Sequence, residues 1–178
     1  CAGGTLEAVR ELKGENADLI LLQESPNQFD LAKLAAELYG DEGSYVRGPD
    51  ASIIARGQLE AVEPKKLINA TPAIWTHKGV KRNVLSMRLT PPVMRIDLYN
   101  RDAWQDFAKN RGNRRAEVEE LAGLLAKVGF KPEIVGGDFN TPPDQLTVEP
   151  LVTGMVDAFA ASGRGYGATC VSPYPLMV

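Results

Sequence analysis

The chain has 178 residues, of which 44% are hydrophobic and 24% are charged, and its formal net charge is −3 at pH 7. These values are typical of one globular domain spanning residues 1–178 and exclude a disordered or low-complexity chain. The acidic balance excludes a strongly basic surface, so contact with nucleic acid would depend on a local patch. No apolar run reaches the roughly 20 residues of a membrane span.

The two chain ends suggest a piece of a longer protein. The sequence begins CAGGT without Met and stops on the apolar run CVSPYPLMV, so we expect truncation at both ends. A lipid anchor on Cys1 is the alternative we do not favour, since a helical pattern starts by Thr5 and leaves no tether. Cys1 and Cys170 have no CxxC spacing, so we expect both to be structurally incidental. Localisation and oligomeric state stay open.

Helical and strand patterns alternate in the first part of the chain. A helix capped by Thr5 and ending near Gly14 is predicted first. The run ADLILLQE then predicts a buried strand, central in its sheet because four consecutive apolar residues need cover on both faces. The amphipathic pattern from residue 27 or 28 to residue 38 predicts a helix that closes with a glycine.

The middle of the chain is rich in short strand-like runs. These are YVRG, SIIAR, LEAVEP, AIWTH, VLSMRL and VMRIDLY, between residues 45 and 99. A long helix is predicted from residue 103 to about 128, broken near Gly112. Residues 133–136 form another buried strand, and a loop and short helices follow. Helices that flank many strands predict an α/β (α+β) fold with sheets inside and helices outside.

In IVGGDFN, two glycines interrupt the apolar run and lead directly to Asp138 and Asn140. Residues two apart in an extended chain point the same way, and a strand end presents them at the edge of a sheet. A carboxylate beside an amide suits the binding of a water molecule and a phosphoryl oxygen, with Asp138 as base and Asn140 orienting the water. An Asx turn that only satisfies backbone N–H groups is the competing interpretation.

Glu24 ends the strand ADLILLQE as Asp138 ends its own strand. Two carboxylates at two strand ends can face one cavity, and Mg²⁺ needs only one or two carboxylates together with water and a substrate phosphate. The pair is therefore enough to propose a divalent cation site. A carboxylate that caps the next helix, or leaves the sheet into water, is the equal alternative.

Together the two motifs resemble those of the endonuclease/exonuclease/phosphatase family, which has the deoxyribonuclease I-like fold. The resemblance rests on a "QE" motif in ADLILLQE and a "GDFN" motif in IVGGDFNTPPD, about 110 residues later. SIIAR resembles a family strand that ends in Ser-Arg. VLSMRLTPP and the helical RGNRRAEVEELAGLL fall where such chains place a strand, a substrate loop and a helix. The resemblance covers nearly all of residues 5–170.

The resemblance implies a four-layer sandwich of two packed mixed β-sheets flanked by helices. It implies that Glu24 ligates Mg²⁺ or Mn²⁺, and that Asp138 and Asn140 handle the attacking water and the phosphate. The implied activity is metal-dependent hydrolysis of a phosphate ester, of the phosphodiesterase, nuclease or phosphatase type. Because the fold hosts enzymes for nucleic acids, lipids and small molecules, the substrate stays undecided.

The chain departs from the family pattern at three positions. The opening Asn is expected upstream of CAGGT, and the closing Asp-His pair beyond Val178. The third is Arg88, which stands where a histidine commonly ends the strand VLSMRL. An arginine can bind substrate phosphate as a fixed cation, but it cannot replace a neutral imidazole in proton transfer. This departure favours the alternative function, a non-catalytic domain that keeps the fold to bind a partner.

Several other residues are weaker candidates. Tyr99, in the LYNRD loop, could bind substrate or simply pack. The basic run Arg111, Arg114 and Arg115 could meet phosphates, although such a run is more often a solvated helix face. His77 is expected to be a solvated turn residue. Trp75 and Trp104 could stack on bases, although packing is commoner.

Overall fold

The computed structural model describes residues 12–25, 28–63, 69–93, 95–141 and 146–164. The strands in these residues are β1 (Leu19–Gln23), β2 (Gly43–Arg47), β3 (Ala51–Arg56), β4 (Gln58–Ala61), β5 (Ala70–His77), β6 (Val80–Arg88) and β7 (Ile134–Asp138). The α-helices are α1 (Gln28–Tyr39), α2 (Arg101–Lys127), α3 (Glu149–Val152) and α4 (Ala158–Ser162), with 3-10 turns at Leu12–Glu15, Gly40–Glu42 and Leu146–Val148. No helix among the described residues is both long and apolar enough to cross a membrane.

The strands form two sheets that pack face to face. One is antiparallel in the order β1-β3-β2, and the other has the order β4-β5-β6-β7, in which β6 and β7 run parallel. Neighbouring residues of β3 alternate between the faces. Ile53 packs with Ala73 and Val84 of the facing sheet, whereas Ile54 packs against α1. Because β3 is covered on both faces, it needs apolar residues at consecutive positions.

Helices cover the two outer faces. Leu31 and Leu34 of α1 are fully buried against the first sheet. Val118 and Leu125 of α2 pack with Met87 of β6 on the second sheet. The layers therefore run helix, sheet, sheet, helix, which confirms the predicted α+β sandwich.

The predicted central position of β1 is wrong for the described sheet, in which β3 lies between β1 and β2. The apolar residues of β1 are covered by other layers instead of by strands on both sides. Ile20 packs against α1, and Leu21 reaches Gly136 of the facing sheet. A continuous apolar run thus reports burial of both faces, which an edge strand in a sandwich also has.

The strand predicted for VMRIDLY is also wrong, since residues 93 and 95–99 form no strand. Pro91 and Pro92 precede this segment and cannot donate to a ladder. Arg95 pairs with Asp97 and Asp106, and Ile96 is 89% exposed. The segment is therefore a loop held by ion pairs.

Helix α2 is unbroken at Gly112, contrary to the sequence prediction. A glycine in a helix interior costs only about 1 kcal/mol relative to alanine, and the helix has compensating contacts on both sides. Arg114 bonds Asn110, and Arg115 pairs with Glu119, each four residues apart. The predicted N-terminal helix lies mostly outside the described residues. Of its span, the structure describes residues from Leu12 onward, and Leu12–Glu15 form a 3-10 turn.

Two glycines in β7 allow close approach to neighbouring strands. A Cβ on Gly136 would lie 2.6 Å from Leu21 Cδ1 in the facing sheet, and one on Gly137 would lie 1.8 Å from the backbone oxygen of Met87. Gly137 also has φ +145°, which side chains rarely tolerate. The glycines in IVGGD are thus required by the packing of β7 against β1 and β6.

One side chain of α2 anchors the end of β6. Glu117 Oε1 accepts hydrogen bonds from Asn69 Nδ2 at 2.6 Å and Thr90 Oγ1 at 2.9 Å, and its Oε2 accepts one from Thr90 N at 3.1 Å. The backbone oxygen of Asn69 in turn accepts from Arg88 N at 2.8 Å. Glu117 therefore fixes the backbone on both sides of the β6 terminus.

Replacing Gly137 tests the close packing of β7. We expect Gly137→Ala to lower the free energy of unfolding by at least about 1 kcal/mol, because the methyl group would strain the backbone and collide with β6. Gly112→Ala is the matched control, since a Cβ there meets nothing within 4 Å. It should raise the stability by up to about 1 kcal/mol. Urea unfolding of both variants measures the difference, and equal stabilities would contradict this account.

Replacing Glu117 tests the anchor. Glu117→Ala leaves the hydrogen-bond donors of Asn69 and Thr90 without their acceptor. We therefore expect the free energy of unfolding to fall by roughly 1–3 kcal/mol. Glu120→Ala, at an exposed position of the same helix, should change it by no more than about 0.5 kcal/mol. Thermal and urea unfolding compare the two, and a similar small effect of both would exclude the anchor role.

Candidate active site

Four charged side chains meet at one end of the two sheets. Glu24 follows β1, and Asp50 precedes β3, which pairs antiparallel with β1 through Gln23 and Ala51. Arg88 ends β6 and lies opposite Asp138, the last residue of β7, in the parallel ladder. The strand pairings thus bring Glu24, Asp50, Arg88 and Asp138 to the same edge.

Alternation along β6 and β7 turns two of these side chains toward the space between the sheets. Val84 of β6 packs between the sheets, so Ser86 and Arg88 share its face. Across this space Gln23 Nε2 lies 3.4 Å from Ser86 Oγ. The same alternation puts Asp138 on the inner face of β7. The charged side chains therefore lie where the inter-sheet core opens to solvent.

The guanidinium of Arg88 lies among the three carboxylates. Nη2 donates to Glu24 Oε1 at 2.7 Å, Nη1 lies 3.1 Å from Asp50 Oδ2, and Nε lies 3.8 Å from Asp138 Oδ2. Desolvation lowers the pKa of Arg88, but its hydrogen bond to Asp50 and the charges of all three acids outweigh this and raise the pKa above its ordinary value. Arg88 is therefore always charged.

The backbone around Glu24 is shaped to present its side chain. Glu24 has φ 52°, an uncommon conformation for a residue other than glycine. The next residue, Ser25, binds the backbone oxygen of Asp50 through both its N–H, at 3.3 Å, and its Oγ, at 3.2 Å. This tight joint holds Glu24 and Asp50 side by side beyond the paired ends of β1 and β3.

Asp138 and Asn140 form a turn rather than the extended pair that alternation predicts. Asp138 Oδ1 accepts a hydrogen bond from Asn140 N at 3.1 Å, and Asn140 has φ 47°. The side chain of Asn140 donates to Leu89 O at 2.7 Å. The Asx turn is thus present, and it ties Asn140 to the segment after β6. Asp138 Oδ2 still faces the cluster, and its side chain is 46% exposed.

The side chains of the cluster are not arranged for the predicted divalent cation. The residues that the structure describes contain no group of three or more His, Cys, Asp or Glu side chains placed to hold a metal ion. The carboxylates of Glu24 and Asp138 instead share Arg88 as their cation. Magnesium requires oxygen ligands at about 2.0–2.1 Å in near-octahedral geometry. With the guanidinium 2.7 Å from Glu24, the side chains as arranged do not fit that ion.

Two other sequence candidates are exposed side chains near the start of α2. Tyr99 is 94% exposed in the loop before α2, and a role in substrate binding stays a prediction. Trp104, on the first turns of α2, is 59% exposed and donates to Leu98 O.

Two expectations of solvated side chains are wrong. His77 ends β5 with its side chain 16% exposed, stacked on Trp75 at a centroid distance of 5.7 Å and with Nε2 3.9 Å from Asp18. Arg111 and Arg115 are exposed as expected. Arg114 is buried, which lowers its pKa, and it donates to Asn110 Oδ1 at 2.6 Å. His77 and Arg114 therefore pack against other residues of the protein.

An open cavity of about 600 Å³ lies at the other end of the sheets. It is lined by residues at the end of β3 and around the β5–β6 turn, including Arg56, Thr76 and Lys78. Glu24, Arg88 and Asp138 are not part of its wall. The cavity is therefore a different site from the carboxylate cluster, which lies partly exposed between the ends of the strands.

Asp50 is the member of the cluster that the sequence reasoning missed. The motif RGPDASIIAR contains the available signal, since a Gly-Pro-Asp turn directly precedes a fully buried strand. Because β3 runs antiparallel to β1, the start of β3 lies beside the end of β1. A carboxylate at that start therefore joins Glu24 at the same edge.

No protein-family model matches the sequence, and no curated protein sequence matches it. Solved structures are similar in fold. Beta toxin 275-280 from Staphylococcus aureus aligns with TM-score 0.56 at 11% identity, over 84% of this chain and 64% of that chain. SmcL aligns with TM-score 0.53 at 13% identity, over 83% and 60%. The human Nocturnin catalytic domain with bound sulfate anion aligns with TM-score 0.50 at 17% identity, over 84% and 62%.

These likenesses, at identities of 11–17%, bear on the fold alone. The chain spans 60–64% of the length of these neighbours. The structure has two packed sheets flanked by helices, with charged side chains at one end of the strands. The QE and GDFN motifs led to the same expectation. The chain therefore shares the deoxyribonuclease I-like fold of these structures.

Proposed function

We propose that this domain hydrolyses a phosphate ester, with Asp138 as the base for the attacking water and Asn140 as the orienting group. One observation carries the proposal: Asp138, Asn140 and Glu24 converge at one strand edge of a deoxyribonuclease I-like fold. The Nocturnin catalytic domain was solved with a bound sulfate anion, a tetrahedral anion like a phosphoryl group. Its presence in a structure of this fold supports an anionic substrate here.

The side chains suit the parts of such a reaction unequally. Asp138 Oδ1 is engaged by Asn140 N at 3.1 Å, whereas Oδ2 lies beyond hydrogen-bond distance of Arg88 at 3.8 Å. An oxygen of a half-exposed carboxylate can accept a proton from water. Asn140 is fixed through its bond to Leu89 O, so its amide oxygen has a defined position. We assign proton transfer to Asp138 and water orientation to Asn140.

Binding of the phosphoryl group is assigned to Arg88. Its guanidinium is the cation nearest Asp138 in the described ladder, and a planar fork matches phosphoryl oxygens. Both Nη atoms now contact carboxylates, so binding requires Arg88 to exchange a carboxylate oxygen for a phosphoryl oxygen. The proposal leaves the substrate class open, and metal dependence remains the expectation that the motifs raise.

The alternative of a non-catalytic, partner-binding domain is favoured by the same contacts. Three carboxylates of the protein itself pair with Arg88. The group proposed to bind phosphate is therefore already engaged by internal partners. A domain that has lost catalytic activity can retain such a cluster because its ion pairs hold the strand ends together. Activity measurements separate the two functions directly.

The proposal is tested with the longest form of the gene product that contains this chain. Hydrolysis of bis(p-nitrophenyl) phosphate is followed with and without Mg²⁺ or Mn²⁺. We expect Asp138→Asn to lower the rate by about 10²–10⁴-fold, the usual contribution of a general base. Asp41→Asn, an exposed carboxylate at the other end of the sheets, should match the wild type.

Equal rates for the wild type and Asp138→Asn would contradict the assignment. Absence of turnover in the folded wild type, under all metal conditions, would favour the partner-binding alternative. A rate that depends on added metal would support the expectation raised by the QE and GDFN motifs.

A further inference from the structure

The carboxylate cluster already contains a cation. Glu24, Asp50 and Asp138 are three acidic side chains, and Arg88 supplies one positive charge that forms an ion pair with each of them. Each of its three nitrogen atoms faces a different acid. Nη2 faces Glu24, Nε faces Asp138, and Nη1 lies 3.1 and 3.4 Å from the two carboxylate oxygens of Asp50.

Arg88 is not a flexible surface residue, because the fold constrains its position. Arg88 is the last residue of β6, with its N–H bound to Asn69 O at 2.8 Å and its backbone paired with Asp138. Its side chain is only 22% exposed. Asn69 is held by Glu117 of α2. Asn69, itself bound by Glu117, therefore holds the backbone of Arg88, and the carboxylates of Glu24 and Asp50 hold its guanidinium.

We propose that Arg88 is an internal counter-ion that excludes divalent cations from Glu24, Asp50 and Asp138. A divalent ion bound to Glu24 would stand within a few ångströms of the guanidinium, and two cations at that distance repel each other strongly in a partly desolvated site. Metal and guanidinium would also compete for the same carboxylate oxygens. Arg88 thus offsets part of the negative charge from within the cluster and occupies its carboxylate oxygens, and removal of Arg88 exposes a latent cation site.

This inference concerns the same site as the proposed function but does not require hydrolysis. Its readout is cation binding, which is measured without substrate. A wild-type protein that fails to hydrolyse any ester leaves the inference standing. Conversely, a hydrolase whose folded wild type binds Mg²⁺ tightly through Glu24 would support the proposed function and overturn this inference.

Isothermal titration calorimetry with MgCl₂ and MnCl₂ tests the inference in the full chain. Arg88→Met removes the charge while keeping an unbranched side chain, and we expect it to bind either ion at least about tenfold more tightly than the wild type. Arg88→Lys keeps the positive charge and should remain as weak as the wild type. Arg82→Met, on the same strand but paired with Glu133, is the matched control and should also remain weak.

Equal affinity of Arg88→Met and the wild type would overturn the inference, as would the absence of binding by both. Equal gains in Arg82→Met and Arg88→Met would also overturn it, since the effect would not be local. Adding Glu24→Gln to Arg88→Met should abolish the gain. Persistence of the gain in the double variant would place the ion elsewhere.

A second measurement covers the case in which Arg88→Met folds poorly because its carboxylates repel one another. The melting temperature of the wild type is followed during Mg²⁺ titration, alongside Glu24→Gln. We expect neither protein to be stabilised at millimolar Mg²⁺ beyond the Arg82→Met control. A rise in the wild-type melting temperature that Glu24→Gln removes would show that Arg88 does not exclude the ion.

Discussion

The parallel pairing of β6 with β7 is the constraint on which the candidate site depends. It places Arg88 opposite Asp138, and it requires β7 to approach β6 so closely that Gly137 has no room for a Cβ. The inner face of the same pair packs on β1, where Gly136 meets Leu21. Once these contacts are made, the end of β1 must lie beside the ends of β6 and β7. The site is therefore a consequence of how two sheets stack.

Much of the fold is readable from the sequence because burial imposes local patterns. The run SIIAR predicts a short strand, and β3 contains it. The motif-bearing residues Glu24 and Asp138 were expected to converge from two strand ends, and both contact Arg88. Strand order was less accessible, since an apolar run does not distinguish the centre of one sheet from an edge packed between layers.

The parts that the sequence did not predict depend on long-range partners. Asp50 joins the cluster because β3 is antiparallel to β1, a pairing that no local pattern specifies. Arg114 resembles a solvated helix residue in sequence but is buried beside Asn110. The loop after Pro92 has the composition of a strand, yet ion pairs of Arg95 hold it outside the sheets. In each case tertiary contacts decide between local alternatives of similar energy.

The identity of residue 88 decides what the cluster can do. A histidine at a strand end can be neutral at pH 7, donate or accept a proton, and leave nearby carboxylates without a counter-charge. An arginine is always charged and offers only donors, so the acids at the neighbouring strand ends become its partners. The contacts to Glu24 and Asp50, at 2.7 and 3.1 Å, are those of ion pairs rather than of a proton relay. With the same fold and the same two motifs, the positive charge in this cluster is therefore supplied by Arg88, a side chain of β6.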